Sequence, residues 1–300
     1  MTAPDNEATG GPTEARSILT RANREHRTRF RLDRPLTGGF QSHTWLLAGA
    51  DETGSDAGRA VLKWSPNPGL VPRTLRAAQA VAEVRAAGYM TPAWVATGVT
   101  EAGFPYHIQE FAPGGKADRL TDATARLLVP LLESQRGLDP DPERCWSRYV
   151  YESLADGGAE LRRRLAATGP DGRRFITAVG ALLQAYGEVE LPTGDLVHGD
   201  FRLANVVVPP DGRPVAVDIE ALGSGTRAYD YATLLTEDEV DESAWNLIRA
   251  AGERVAGPDV LAYCFALTAM ELADFVRERV PGRLPLLIGP LTARAEALRP

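Results

Sequence analysis

Apolar positions in the first part of the chain come in short runs separated by turn residues, whereas later ones recur at helical spacing. Short apolar runs bounded by Gly, Pro, Asn and Asp mark an antiparallel sheet. On that basis Arg29–Thr37, His43–Ala48 and Ala60–Trp64 read as strands, separated by a glycine turn at Gly38–Ser42 and a loop from Asp51 to Gly58. Ser65-Pro-Asn-Pro-Gly breaks the third strand, and the alanine-rich stretch Thr74–Ala87, closed by Gly88, reads as a helix. Two further strands are expected around Ala93–Thr97 and Tyr106–Phe111. Ala112-Pro-Gly-Gly then reverses the chain.

Beyond Lys116 the spacing predicts helices over Leu120–Gly137, Glu143–Thr168 and Gly172–Glu190. Leu191–Glu220 interrupts them with two brief apolar strands around polar residues. Helices resume at Tyr229, Ser243 and Asp259, the last carrying a buried stripe of Leu261, Phe265, Leu272 and Phe275/Val276. Upstream of the strands, Arg16–Phe30 reads as a basic surface helix, and residues 1–14, rich in Pro, Gly, Thr and acids, as a disordered tail. The predicted organisation is α+β: tail 1–14, a small antiparallel β lobe with one main helix over 15–113, and a larger, mainly helical lobe over 114–300.

Charge and composition narrow the function. Thirty-three Lys and Arg against 40 Asp and Glu give a net charge of −7, which argues against a nucleic-acid partner, because counterion release needs a dense basic surface. Two cysteines, Cys145 and Cys264, are too few for a disulfide framework or a four-cysteine zinc site. No apolar run approaches the ~20 residues of a membrane span. The first residues lack the basic start and apolar stretch of a secretory signal, so no membrane contact and a cytoplasmic location are expected.

The chemistry concentrates in Leu196-Val-His-Gly-Asp-Phe-Arg-Leu-Ala-Asn-Val-Val-Val. An apolar strand delivers His198, Gly199 and Asp200 to a loop, and Asn205 follows with four residues intervening. A second strand, Pro214-Val-Ala-Val, ends thirteen residues after Asn205 in Asp218-Ile-Glu220. Asn205 and Asp218 are thus oxygen donors at the ends of one expected hairpin, suited to Mg2+, a hard ion that keeps water and phosphate oxygens in its shell. Asp200, on the same loop, could accept a proton from an attacking hydroxyl.

These motifs resemble those of the aminoglycoside phosphotransferase/choline kinase group of the protein-kinase-like superfamily, over about Leu36 to Leu235. The resemblance implies a bilobal protein-kinase-like fold and transfer of the γ-phosphoryl group of ATP or GTP, with Mg2+, to a small-molecule hydroxyl. An antibiotic acceptor, in resistance or self-protection, is the first expectation; a metabolic amino alcohol or sugar kinase and a non-catalytic nucleotide-binding pseudokinase are the alternatives. A protein kinase is disfavoured, because neither Asp-Phe-Gly nor Ala-Pro-Glu occurs. Residue by residue, the resemblance makes Asp200 the catalytic base, Asn205 and Asp218 the Mg2+ ligands, and His198 a brace for the loop. Arg202 either neutralises a γ-phosphate oxygen or forms a salt bridge within the fold. Glu220 reaches the metal through water, and Asp230 caps amides of the catalytic loop.

The same resemblance assigns the nucleotide to the first lobe. Leu36-Thr-Gly-Gly-Phe-Gln-Ser would cover phosphates with the backbone of Gly38, Gly39 and Ser42. Lys63, the only lysine before residue 116, would meet the α- and β-phosphates, paired with Glu83 unless Gln79, one turn earlier, faces it instead. His107-Ile-Gln-Glu-Phe-Ala-Pro-Gly-Gly resembles the hinge, where the base would take backbone hydrogen bonds from Glu110 and Ala112. Acceptor recognition is less legible. The acidic run Thr236-Glu-Asp-Glu-Val-Asp-Glu reads as a solvated helix start, with an acidic rim for a cationic antibiotic as the alternative. Trp146, Tyr149, Tyr151 and Trp245 read as packing residues, or as the wall of an apolar or nucleoside acceptor pocket.

Overall fold

The computed structural model describes residues 11–36, 43–49, 58–156 and 158–300. The predicted turn with Gly38, Gly39 and Ser42 lies outside the described residues. The chain divides into two compact units. Thr91–Pro113 joins the residues up to Ala86 in the first, and residues 87–90 join 114–300 in the second.

The first unit is built on a five-stranded antiparallel sheet: β1 (Arg31–Pro35), β2 (His43–Ala48), β3 (Ala60–Trp64), β4 (Trp94–Val99) and β5 (Pro105–Glu110), in the order β1-β2-β3-β5-β4. Side chains alternate across a strand, so Ala60, Leu62 and Trp64 share one face with Tyr106 and Ile108. That face is covered by α1 (Pro12–His26), whose Ala15, Ile18, Leu19 and Ala22 are buried against it. Two expectations are corrected here. The helix starts at Pro12, inside the predicted tail, where proline is preorganised for a first helical turn. It is also no mere surface helix, because its narrow apolar stripe, half of it alanine, closes the core of the unit. A second helix, α2 (Val71–Ala86), packs on β4 and β5 through Thr74, Ala77, Ala80, Val81 and Val84.

The second unit holds eight α-helices among the described residues: α3 (Asp122–Glu133), α4 (Trp146–Ala155), α5 (Ala159–Ala166), α6 (Pro170–Tyr186), α7 (Ala228–Leu235), α8 (Glu242–Ala256), α9 (Pro258–Arg279) and α10 (Leu284–Ala297). α9 is the axis, buried over most of its first four turns and packed on α5, α6, α7, α8 and α10. The single helix predicted over Glu143–Thr168 is two. The Asp156 carboxylate accepts the N–H groups of Gly158 (2.9 Å) and Ala159 (3.2 Å), and Gly158 takes a left-handed φ of 67° that suits glycine. Two small sheets complete the unit: β7 (Asp195–Val197) pairs with β10 (Gly223–Gly225), and β8 (Val206–Val208) pairs with both β9 (Val215–Ala216) and β6 (Gly115–Lys116), the last of which precedes α3 in the chain.

Candidate active site

β7 feeds the buried backbone straight into His198-Gly199-Asp200. Gly199 has φ 81°, and a Cβ there would stand 2.2 Å from the Trp146 ring, so only glycine fits. His198 is fully buried. Its Nδ1 accepts the N–H of Asp200 (3.3 Å) and its Nε2 donates to the Val217 carbonyl (3.0 Å), the tautomer these two bonds select. The imidazole thus ties the loop to the segment that leads from β9 into Asp218.

Asp230 of α7 holds the same loop from below. One carboxylate oxygen accepts the His198 N–H (2.7 Å) and the Gln135 side-chain amide (2.8 Å), and the other accepts the Gly199 N–H (3.0 Å). Burial raises the Asp230 carboxyl above its ordinary range, against the pull of these donors. Gln135 also donates toward the Tyr89 hydroxyl at 3.4 Å. Sequence reasoning missed Gln135, because nothing in its neighbourhood marks it as other than a helix end.

Beyond Asp200 the chain makes a 3-10 turn, Leu203–Asn205. The Asn205 side-chain amide donates to both the backbone carbonyl and the carboxylate of Asp200, each at 2.9 Å. Asn205 therefore has its side-chain oxygen to offer a cation. β8 and β9 form a hairpin with Val206 opposite Ala216, and the Val217 N–H donates to the Asn205 carbonyl (2.8 Å). Asn205 and Asp218 stand at its open end, as the spacing predicted. Asp218 has φ 63°, one of two non-glycine residues among those described with a left-handed backbone; holding it so costs of order 1 kcal/mol. Glu220 lies on the short turn Ile219–Ala221, anchored by buried Ile219 and by the Trp146 indole, which donates to the Ala221 carbonyl (3.2 Å).

These donors fit a hard ion such as magnesium. They are all oxygens, and among the described residues no three His, Cys, Asp or Glu side chains converge into a closed cage. Mg2+ is commonly held by one or two carboxylates plus phosphate oxygens.

Arg202 Nε lies 3.1 Å from Asp200 Oδ1, so the salt bridge within the loop is present. The acidic run that follows α7 leads into α8 as the expected helix start, with Asp241 at the N-cap position, Glu242 in the first turn, and Asp238, Glu239 and Glu242 exposed. Asp238 pairs with Arg283 (2.5 Å), and Glu239 and Asp241 pair with Arg119 (3.1 and 2.6 Å). Glu237 accepts the Leu203 N–H at 2.9 Å. Of the four aromatic residues, Trp245 is buried and Trp146 is wedged beneath Gly199, whereas Tyr151 is exposed. Tyr149 is partly exposed, and its hydroxyl and that of Tyr229 both donate to Glu271.

In the first unit, Lys63 sits on the sheet face away from α1, between Thr44 and His107 on the adjoining strands. Glu83 and Gln79 both lie on the exposed side of α2, and Gln79 donates to Glu83 at 3.0 Å. Glu110 ends β5 with its carboxylate on the Ala93 N–H (3.1 Å) and its own N–H on the Ala93 carbonyl (2.9 Å). A base could draw there only on the Glu110 carbonyl, which narrows the expected hinge contacts to that oxygen and to Ala112.

An α+β chain in which a His-Gly-Asp loop, an asparagine and a strand-end aspartate share one hydrogen-bonded frame defines a phosphotransferase of the protein-kinase-like fold. The chain belongs to the phosphotransferase enzyme family whose model matches residues 34–283. Among solved structures it is similar to a thermostable mutant of aminoglycoside phosphotransferase APH(4)-Ia in ternary complex with ADP and hygromycin B, at 15% identity, a TM-score of 0.62, and coverage of 94% of this chain and 97% of that one. It is also similar to ADP-bound aminoglycoside phosphotransferase APH(2'')-Ib, at 15% identity, a TM-score of 0.57, and coverage of 94% and 98%. At such identities the likeness is one of fold. No curated protein matches the sequence. No helix among the described residues is long and apolar enough to cross a membrane.

Proposed function

We propose that the protein transfers the γ-phosphoryl group of ATP to a hydroxyl of a small molecule, with an antibiotic as the first class of acceptor. The observation that carries this reading is the Asn205 side chain, which bonds the Asp200 carboxylate and carbonyl at 2.9 Å and so joins a base and a cation ligand in one unit. Asp200 orients the acceptor hydroxyl and takes its proton as the oxygen bonds to phosphorus and ADP departs. The transition state is loose, so positioning and charge neutralisation do most of the work. Asn205 and Asp218, with Glu220 acting through water, would hold Mg2+, which when bound would supply charge neutralisation for the phosphate oxygens. Arg202 exchanges its bond to Asp200 for a γ-phosphate oxygen. Lys63, with Glu83 as its partner, serves the α- and β-phosphates, and Glu110 and Ala112 the base.

ATP is favoured over GTP as donor because similar structures hold ADP. With Asp238, Glu239 and Asp241 already paired to arginines, a cationic acceptor would be met instead by Glu271, a carboxylate bordered by Tyr149 and Tyr229. Calorimetric titration with ATP tests the donor side. Binding should require Mg2+, and Asp218→Asn should weaken it at least ~10-fold, the scale of a lost metal contact. Binding indifferent both to Mg2+ and to that substitution would overturn the reading.

A further inference from the structure

The segment after α7 is fixed from several directions. Arg294 of α10 donates to the carbonyls of Leu235 (3.1 Å) and Glu237 (2.7 Å), and Arg283 pairs with Asp238. Arg119 pairs with Glu239 and Asp241, and Leu120 exchanges backbone hydrogen bonds with the same two residues (2.8 and 3.0 Å). This bracket presents one carboxylate to the catalytic loop. Glu237 Oε1 accepts the N–H of Leu203, the first residue of the turn that ends in Asn205. The first amides of such a turn have no partner within it, so the turn depends on an acceptor from outside.

α7 therefore grips the loop at both ends. Asp230, in its first turn, holds the amides of His198 and Gly199, and Glu237, just past its last turn, holds that of Leu203. The carboxylate is placed where burial opposes its charge, and Arg202 offsets that opposition. A neutral acceptor such as Ser or Asn would serve a backbone amide without the cost of burying a charge. The carboxylate instead draws on the favourable field of Arg202, which is itself bonded to Asp200.

We propose that Glu237 is a positioning residue for the metal ligand: by fixing Leu203 it sets the placement of the Asn205 side chain, and with it the affinity of the site for Mg2+. The proposal rests on the reading of Asn205 as a Mg2+ ligand. Groups that orient metal ligands typically change metal affinity or activity 10–100-fold when removed.

The test is the Mg2+ concentration at half-maximal ATP binding, followed with a fluorescent ATP analogue in the full-length protein. Glu237→Ala should raise that midpoint at least ~10-fold, leaving metal-free nucleotide affinity unchanged. Glu237→Gln, which keeps an oxygen for Leu203, should recover most of the shift. Glu242→Gln, which alters an exposed acid of the same run that takes no part in this bracket, should give none. Should Glu237→Ala not fold, Glu237→Asp withdraws the oxygen by one methylene and carries the same expectation. A Mg2+-dependent wild type with an unshifted Glu237→Ala or Glu237→Asp midpoint overturns this proposal alone. A wild type indifferent to Mg2+ overturns it together with the metal reading.

Discussion

Asp200→Asn should lower the rate of phosphoryl transfer by about 10²- to 10⁴-fold, the range a positioned general base contributes, while Mg·ATP affinity stays within a few-fold. The substitution is close to isosteric, and its amide oxygen can still accept from Asn205, so the loop keeps its shape. The loop is held through the backbone, by the Asp200 N–H on His198 and the Asp200 carbonyl on Asn205. What changes is the chemistry. The wild-type carboxylate accepts from Arg202 on one oxygen and from Asn205 on the other, whereas an amide has one acceptor and presents N–H₂ on the other side. It can still lie near the acceptor hydroxyl, but it cannot take the proton. Single-turnover rates and calorimetric affinities separate the two quantities. A rate within tenfold of wild type would remove Asp200 from the chemistry.

Asp230→Ala should have the largest effect on stability. It strands the His198 and Gly199 N–H groups and the Gln135 amide in a region without water, and each orphaned donor costs about 1–3 kcal/mol. The sum is a large share of the ~5–15 kcal/mol that holds a domain together. Loss of soluble protein, or a drop in Tm of about 10 °C or more, is expected. Asp230→Asn should be only a partial rescue, because its N–H₂ must face one of the two backbone N–H groups. The sign of the pH dependence follows from the raised carboxyl. A group whose pKa is higher folded than unfolded contributes most below its unfolded value, and that contribution is lost as pH rises through its folded value. The charged form is therefore the strained one, tolerated for the donors it holds. An Asp230→Ala protein melting like wild type would contradict this account.

The parts of this molecule that were legible in the sequence are those encoded locally. β2 and β3 run His43–Ala48 and Ala60–Trp64, the limits their turn residues predict. The hairpin joining Asn205 to Asp218 follows from two apolar runs and a Pro-Asp-Gly turn. What was not legible depends on distant partners. β6 has two residues and β10 has three, too short to show any period, and they exist only because other segments lie beside them. α10 went unpredicted because Pro285, Gly289 and Pro290 read as breakers. Pro285 instead lies in the first turn, where its missing N–H is not needed, and Pro290 is accommodated within the helix. Glu237 was hidden inside a run of five acids whose individual fates diverge: three form ion pairs with arginines, Glu242 stays exposed, and Glu237 meets a backbone amide. Burial of that one side chain is a tertiary fact, and charge patterning along the chain carries no trace of it.

The phosphoryl-transfer reading of Asp200, Asn205 and Asp218 is tested most directly by incubating the purified protein with Mg2+, ATP and a panel of hydroxyl-bearing antibiotics, amino alcohols and sugars. Products are followed by mass spectrometry. The expected result is an acceptor that gains one phosphoryl group in step with ADP formation, only when Mg2+ is present, and with the signal abolished by Asp200→Asn. ATP that yields only inorganic phosphate across the whole panel, or a transfer that Asp200→Asn leaves unchanged, would contradict it.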